Sequence, residues 1–222
     1  MPRQPDPSLE HRILDAASRL WARGGEKALT MRAVAKASGT TTPTVYERYR
    51  HREDILRALR LRTRHELFSA ISHTRTLRHA VQAHLEFALA HSHAYEVLFD
   101  GVGKPPSLHE PWPSFNLIRE RVARQLRGNP RKYTRLMLSL WCLMHGTAML
   151  IIRGNFEGPL RVQTVNACLD AFDAIVNAAG KKSLPHSGPK WPSDLVLGEG
   201  TESYVGNGNT GGRKSGGKKL RH

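Results

Sequence analysis

The sequence predicts an all-α protein of about nine helices, and three observations carry that prediction. Apolar residues recur three and four positions apart in segment after segment between Ser8 and Gly180, which is the spacing of one helix face. No segment shows the sustained two-residue alternation of a half-buried strand. Glycines and prolines separate the periodic segments, where helices are expected to begin or end.

The N-terminal part is expected to hold three helices. The first begins at Ser8, whose hydroxyl suits the N-cap, and is stopped by Gly24 and Gly25. Two short helices follow at residues 31–37 and 42–49. The apolar face of the first helix is formed by Leu9, Ile13, Leu14, Ala16, Ala17, Leu20 and Trp21.

The next part is expected to continue as a series of helices. They lie at residues 52–72, 77–89, 94–101, 114–127, 130–152 and 162–179. Ser114 and Pro130 mark two of the starts, and Gly180 marks the last end. The proline-rich stretch 103–113 must be a loop, because proline lacks the backbone donor that a helix interior requires.

The composition changes after Gly180. Residues 181–222 are rich in Gly, Ser, Pro, Asn and Lys, and they carry eight basic against three acidic side chains. Their few large apolar residues do not offset the entropy of ordering, so we expect a disordered basic tail. It is either a weak nonspecific DNA tether or a solvated segment without a role. The predicted domains are therefore residues 1–51, 52–180 and 181–222.

The chain is strongly basic, with a formal net charge of +15. Such an excess attracts polyanions through counterion release, although many basic proteins have no such partner. The sequence has no run of about 18 apolar residues and no apolar N-terminal stretch. We therefore expect no membrane span and a cytoplasmic, nucleoid-associated location. Cys142 and Cys168 are expected to be buried thiols.

Residues 29–49 have the physical features of a helix-turn-helix. Val34 and Ala35 would pack inward from the first helix, and Gly39 stands where a tight turn requires a positive φ. Val45 and Tyr49, four positions apart, would hold the second helix against the rest of the domain. Thr41 would cap the second helix through its side-chain oxygen. Pro43 falls in the first turn of that helix, where a missing N–H costs nothing.

The outer side and the N-terminal end of this second helix are expected to contact DNA. In helix-turn-helix docking such residues meet base edges in the major groove, and threonine methyls contact thymine methyls. Tyr46 and Arg48 have the reach to bind phosphates, and Arg52 adds positive charge beside the next helix N-terminus. The predicted DNA-binding residues are Thr30, Arg32, Thr40, Thr41, Thr42, Pro43, Thr44, Tyr46, Arg48, Tyr49 and Arg52.

At these residues the sequence resembles the TetR family of transcriptional regulators, over about residues 8–60. The matching positions are Thr30-Met31, Val34-Ala35, Gly39, Val45-Tyr46 and Arg52-Glu53-Asp54-Ile55-Leu56. Tyr49 replaces the usual Phe, and Arg52 replaces the usual Lys. The resemblance implies a sequence-specific DNA-binding regulator that is not an enzyme and has no cofactor or metal.

A second resemblance lies in Trp141-Cys142-Leu143-Met144-His145-Gly146. This stretch is similar to the Trp-His-Gly hallmark of one class of TetR-type C-terminal domains. Trp141 and His145 are four residues apart and share a helix face. The two side chains therefore either contact a ligand or form a core tryptophan packed on a hydrogen-bonded histidine.

The resemblance also implies a C-terminal domain that dimerises through its last two helices and holds a pocket for a small-molecule effector. Two-fold symmetry would place two recognition helices one DNA turn apart on a near-palindromic operator, which effector binding would release. Pro105, Pro106 and Trp112 are candidates for a lid. The pocket candidates, each of which also fits plain core packing, are Phe87, Tyr95, Phe99, Trp112, Phe115, Trp141, His145 and Met149.

Two other classes of function stay open on the sequence. Twelve histidines would suit a metal sensor or an enzyme, but there is no HExxH, CxxC, Gly-x-Ser-x-Gly or phosphate-binding loop. A nonspecific DNA-coating protein would suit the net charge. Residues 1–60, however, carry only twelve basic against seven acidic side chains, and this modest excess favours site-specific readout.

Overall fold

The computed structural model describes residues 7–99 and 112–181, which form nine α-helices and contain no strand. The all-α prediction is confirmed. The helices are α1 (Pro7–Ala28), α2 (Met31–Ser38), α3 (Thr42–Arg48), α4 (Arg52–Ser72), α5 (Leu77–Ala90), α6 (Ser92–Phe99), α7 (Pro113–Gln125), α8 (Thr134–Ile152) and α9 (Gly158–Lys181). A 3-10 turn, Pro130–Tyr133, leads into α8. The predicted loop up to residue 111 and the predicted tail after Lys181 lie outside the described residues.

A proline and two glycines determine where the first helix begins and where it bends. It starts at Pro7, so Ser8 lies inside α1 and is not the predicted N-cap. Gly24 and Gly25 leave helical geometry where the end was predicted, and one further turn reaches Ala28. Gly25 has φ 56° and ψ −143°, a conformation that residues with a Cβ rarely adopt. The bend in α1 therefore depends on glycine.

Two later helices start differently from the prediction because proline occupies their first turns. Trp112 is the N-cap residue of α7 and Pro113 opens it, so Ser114 lies inside the helix and is buried. α9 begins at Gly158, ahead of the predicted start, with a proline following at once. Gly180 lies inside α9 and does not end it.

Two hydrophobic cores organise the described residues, and α4 and α6 contribute to both. The first core joins α1, α2 and α3 to the first half of α4, and the second joins the rest of α4 to α5 and α7–α9. Within α6, Val97 is buried in the first core, while Tyr95 and Leu98 are buried in the second. The two cores are therefore tied through shared helices and not through a flexible linker.

Helix α8 is unusually apolar. The stretch Pro130–Ile152 is long and apolar enough to cross a membrane by length and composition, which the sequence analysis did not expect. Core helices pass the same test, and Met137, Leu140 and Met144 of α8 are fully buried in the second core. Cys142 on α8 is exposed, contrary to the expectation for both thiols, while Cys168 of α9 is buried.

Replacement of Gly39 tests the turn between α2 and α3. Gly39 has φ 68° and ψ 34°, and its N–H bonds back to the end of α2. Gly39→Ala should lower the free energy of unfolding by about 1 kcal/mol, because an L side chain disfavours left-handed backbone. Gly39→Asn should lose less, because asparagine tolerates this region. Urea unfolding followed by circular dichroism measures both, and an Ala variant as stable as the parent would contradict this account of the turn.

Candidate DNA-binding surface and effector cavity

The α2–α3 unit is fixed by caps at both helix starts and by side chains buried beneath them. Thr30 Oγ1 accepts a backbone N–H at the start of α2 (3.1 Å), and Thr41 Oγ1 accepts one at the start of α3 (3.4 Å). Val34, Ala35 and Val45 are buried in the first core. Capped ends and a packed inner face hold α3 in one orientation, which a recognition helix requires.

The outer face of α3 is polar and accessible. The Tyr46 side chain is 50% exposed. The hydroxyls of Thr41 and Thr44 lie 2.8 Å apart at the N-terminal end of the helix. The other predicted DNA-binding residues of α2, α3 and the turn between them are also exposed or half-buried: Arg32, Thr40, Thr42, Pro43 and Arg48.

Tyr49 has a packing role, and its predicted DNA contact stays a prediction. The residue is only 8% exposed in the first core, and its hydroxyl donates to Glu10 Oε1 of α1 (3.4 Å). Burial, helped by the negative charge of Glu10, raises the pKa of Tyr49 to about 12. Tyr49 thus anchors the end of α3 to α1 and positions the recognition helix.

Arg52 forms ion pairs within the protein. Its Nη2 lies 2.6 Å from Glu26 Oε1 and 3.2 Å from Glu53 Oε1. Because Glu26 follows the bend in α1, the ion pair ties the last turn of α1 to the start of α4. A phosphate contact by Arg52 would have to share the guanidinium with these carboxylates, and it stays a prediction.

Aromatic rings from α6, α7 and α8 converge in the second core. The Phe99 ring centroid lies 4.2 Å from that of His145 and 6.0 Å from that of Trp112. Trp141 and His145 stack at 5.4 Å with 12° between their planes. Tyr95 contacts both Phe99 and His145. Five of the predicted pocket residues therefore form one cluster with separations typical of favourable ring pairs.

A hydrogen-bonded relay runs through this cluster. The Tyr95 hydroxyl lies 3.2 Å from His84 Nε2 and 3.2 Å from His145 Nδ1. Burial, helped by the nearby His145, lowers the pKa of His84 to about 4. Burial alone lowers the pKa of His145 and raises that of Tyr95. All three groups are therefore neutral near pH 7, and the hydroxyl donates to one ring and accepts from the other.

A closed cavity of about 20 Å³ lies beside the cluster, with room for a single water molecule. Its wall includes Phe99, Trp112, Phe115 and Trp141, with Arg64 and His84 among its polar residues. The Arg64 guanidinium carbon lies 4.5 Å from the Trp112 ring centroid, which is a cation–π distance. Small-molecule pockets usually measure several hundred Å³, so an effector would have to enlarge this cavity.

Two predicted pocket residues line other clefts, and their part in an effector pocket stays a prediction. Phe87 lines a surface cleft of about 300 Å³ and packs on His91. Met149 lines a different cleft, of about 520 Å³. Of the predicted lid, Trp112 lies in the cavity wall, while Pro105 and Pro106 lie outside the described residues. Packing between helices, which periodicity does not specify, decides which cavity each ring reaches.

Arg64 and His84 are the cavity residues that sequence reasoning missed. Arg64 precedes Leu67 by three positions on α4, and His84 follows Val81 by three on α5, so both share a face with core residues. An ionisable residue in phase with the apolar face of its helix is the signal that would have found them.

Two other histidines, His73 and His93, make local contacts. His93 Nδ1 lies 3.7 Å from Glu96 Oε2 one turn along α6, and His73 Nδ1 lies 2.8 Å from the Ser69 carbonyl. Among residues 7–99 and 112–181, no group of three or more His, Cys, Asp or Glu side chains is placed to hold a metal ion.

Acidification should destabilise the protein through His84. The pKa of His84 is about 4 in the fold, against an ordinary value near 6.5 for the unfolded chain. The unfolded state therefore binds more protons between these values, and stability falls as the pH drops from about 6.5 to 4. His84→Gln, which stays neutral, should reduce this slope. Denaturant midpoints at pH 7.0 and 5.0 measure it, and equal slopes for parent and variant would contradict the assignment.

Comparison with known families supports this arrangement. A sequence model described as bacterial regulatory proteins of the tetR family matches residues 13–59. A second, described as a tetracyclin repressor-like C-terminal domain, matches residues 77–177. No curated protein matches the chain. The first match spans the helix-turn-helix and its core, and the second spans most of the second core.

Solved structures share the fold at low sequence identity. A protein of unknown function from Rhodococcus sp. RHA1 has a TM-score of 0.64 and 21% identity, over 78% of this chain and 97% of that one. A TetR-like transcriptional regulator from Rhodococcus sp. RHA1 has a TM-score of 0.55 and 19% identity, over 80% and 98%. The TetR family transcriptional regulator PfmR from Thermus thermophilus has a TM-score of 0.50 and 17% identity, over 75% and 97%. With both family matches falling on the cores described above, the chain belongs to the TetR family of bacterial transcriptional regulators.

Proposed function

We propose that this regulator is a ligand-responsive repressor that binds a near-palindromic operator as a homodimer and leaves it when a small-molecule effector binds. The observation that carries the proposal is the accessible polar face of α3 on a rigid, capped α2–α3 unit. The threonines at the start of α3 read the major groove, and Arg32, Tyr46 and Arg48 bind phosphates. The protein acts in the cytoplasm on chromosomal DNA, with residues 1–51 as the DNA-binding domain and 52–180 as the effector and dimer domain.

The dimer forms through α8 and α9 in this proposal. Among the described residues, six large apolar side chains are exposed, and four of them belong to the last two helices or their starts: Leu150, Leu160, Val162 and Ile175. Exposed apolar surface grouped on one part of a protein marks an interaction site. A second apolar face on α8, turned toward a partner, would also explain why that helix is apolar enough to resemble a membrane span.

Helix α6 provides the coupling between effector and DNA. An effector that enlarges the 20 Å³ cavity would press on Leu98 and Phe99, the α6 residues that line it. The same helix places Val97 in the first core, and the Val97 carbonyl accepts from Arg60 Nε of α4 (3.1 Å). Displacement of α6 therefore changes the packing of the first core, which orients α3. Coupling of this kind is typically worth about 1–3 kcal/mol.

The effector class follows from the cavity wall. Phenylalanine, tryptophan and methionine side chains surround it, and the histidine relay is neutral. An apolar, aromatic molecule with one polar group fits such a wall. The wall residues have to move apart before the effector enters the cavity. Effector binding therefore selects a state in which the helices around the cavity lie further apart.

Substitution of Tyr46 tests the DNA-binding face. Bound fragments are first selected from genomic DNA with the full chain at physiological salt, and the affinity for the best fragment is then measured by fluorescence anisotropy. Tyr46→Ala should raise the Kd about tenfold, because one contact of this kind is worth about 1–3 kcal/mol. Tyr46→Phe removes only the hydroxyl, so its Kd shows how much of the effect comes from the hydroxyl and how much from the ring.

Leu61→Ala is the matched control for Tyr46→Ala, because Leu61 on α4 is exposed to a similar extent, 48% against 50%. Its Kd should equal that of the parent. An unchanged Kd in Tyr46→Ala would contradict the assigned face. Equal affinity of the parent for scrambled DNA, with a steep dependence on salt, would favour the nonspecific basic DNA-binding protein instead.

A charge on the outer surface of α9 tests the dimer. Ile175→Asp should shift the protein from dimer to monomer in sedimentation velocity at micromolar concentration, because an interface would bury the new carboxylate. Leu61→Asp, away from the last two helices, should remain dimeric. A dimeric Ile175→Asp protein would place the interface elsewhere, and a monomeric parent would contradict the dimer itself.

A further inference from the structure

The cleft of about 520 Å³ lies where α1, α6 and α8 meet and shares the wall residue Phe99 with the closed cavity. One wall is the bent end of α1, including Trp21, Arg23 and Gly25, and the other walls come from α6 and the end of α8. Its volume falls within the range of small-molecule sites, about 300–1,000 Å³. In contrast to the closed cavity, it accepts a ligand without displacement of the core.

The cleft has an apolar floor. Trp21 of the first core is 6% exposed, and Phe99 of the aromatic cluster and Met149 of α8 are half-buried. An indole, a phenyl ring and a thioether offer a polarizable surface to a planar or aliphatic body. The apolar part of a ligand would therefore lie against residues of both cores.

The rim of the cleft carries an excess of positive charge. Arg23 comes from α1, and Arg153 follows the last residue of α8, so the two guanidiniums belong to different helices. Among the described lining residues, Glu96 is the acidic one, and its Oε2 lies 3.7 Å from His93 Nδ1 on its own helix. Guanidinium groups are the strongest protein partners for carboxylate and sulfonate oxygens.

We propose that this cleft is a second ligand site, which binds an amphipathic organic anion with its apolar body on Trp21, Phe99 and Met149 and its acid group on Arg23 and Arg153. Such a ligand bridges α1, at the glycine bend, and α8. It therefore holds the DNA-binding part against the second core from outside.

The test is a fluorescence titration of the full chain with 1-anilinonaphthalene-8-sulfonate, with the uncharged N-phenyl-1-naphthylamine as the matched probe. The sulfonate should bind once per protomer and more tightly than the amine. Arg153→Glu should raise the Kd of the sulfonate at least about tenfold, because a charge-assisted contact is lost and replaced by repulsion. The same variant should leave the Kd of the amine unchanged.

Two controls separate this site from other surfaces. Arg161→Glu reverses an exposed charge on α9 outside the cleft and should leave sulfonate binding unchanged. Phe115→Leu alters the wall of the closed cavity and should also leave it unchanged. Circular dichroism and thermal unfolding check that each variant is folded. Loss of binding in Phe115→Leu with parental binding in Arg153→Glu would overturn the proposal, as would equal Kd values for the two probes or the absence of saturable binding.

Discussion

Helix α6 is packed into both hydrophobic cores, and this constraint determines how the two halves of the molecule sit on each other. It is eight residues long, and successive side chains around a helix point in different directions. Val97 therefore enters the first core, while Tyr95 and Leu98 enter the second. Close-packed interiors change by discrete rearrangement and do not deform gradually. A helix shared by two such interiors cannot move in one without a response in the other.

Ion pairs complement this shared packing by fixing the directions of the longer helices. Arg62 of α4 lies 2.7 Å from Asp15 of α1, and Arg78 of α5 contacts both Asp170 and Asp173 of α9. These side chains are partly exposed, and exposed pairs contribute little to stability, about 0–1 kcal/mol each. Their effect is therefore mainly on orientation: α1 is held along α4, and α5 is held along α9.

The sequence predicted the features of the fold that depend on a few neighbouring residues. Thr41 and the start of α4 were placed correctly because caps and helix starts depend on a few neighbouring residues. Ser114 was misplaced because a proline one residue earlier is an equally valid start, and only tertiary packing decides between them. Gly180 was misplaced because glycine is tolerated within a helix at a cost of about 1 kcal/mol.

The candidate sites were predicted in the same uneven way. The recognition helix is contiguous in sequence, so its outer face followed from helical spacing. Tyr49 follows Val45 by four positions, so spacing indicated that it packs against the domain, but not that its partner is Glu10, which lies far away in sequence. The cavity depends on contacts between five helices, so the sequence indicated which aromatic residues could take part, but not that Phe87 and Met149 reach other clefts.

The unequal exposure of the two cysteines gives the protein a built-in site for chemical labelling. Cys168 is buried, and burial raises the pKa of its thiol, so little reactive thiolate is present near neutral pH. Cys142 is exposed in mid-α8, and these are the only cysteines of the chain. A maleimide dye would thus attach at one defined position of the natural sequence. Because the proposed dimer covers the outer face of α8, the rate of this labelling would report whether that face is free or covered in solution, without any substitution.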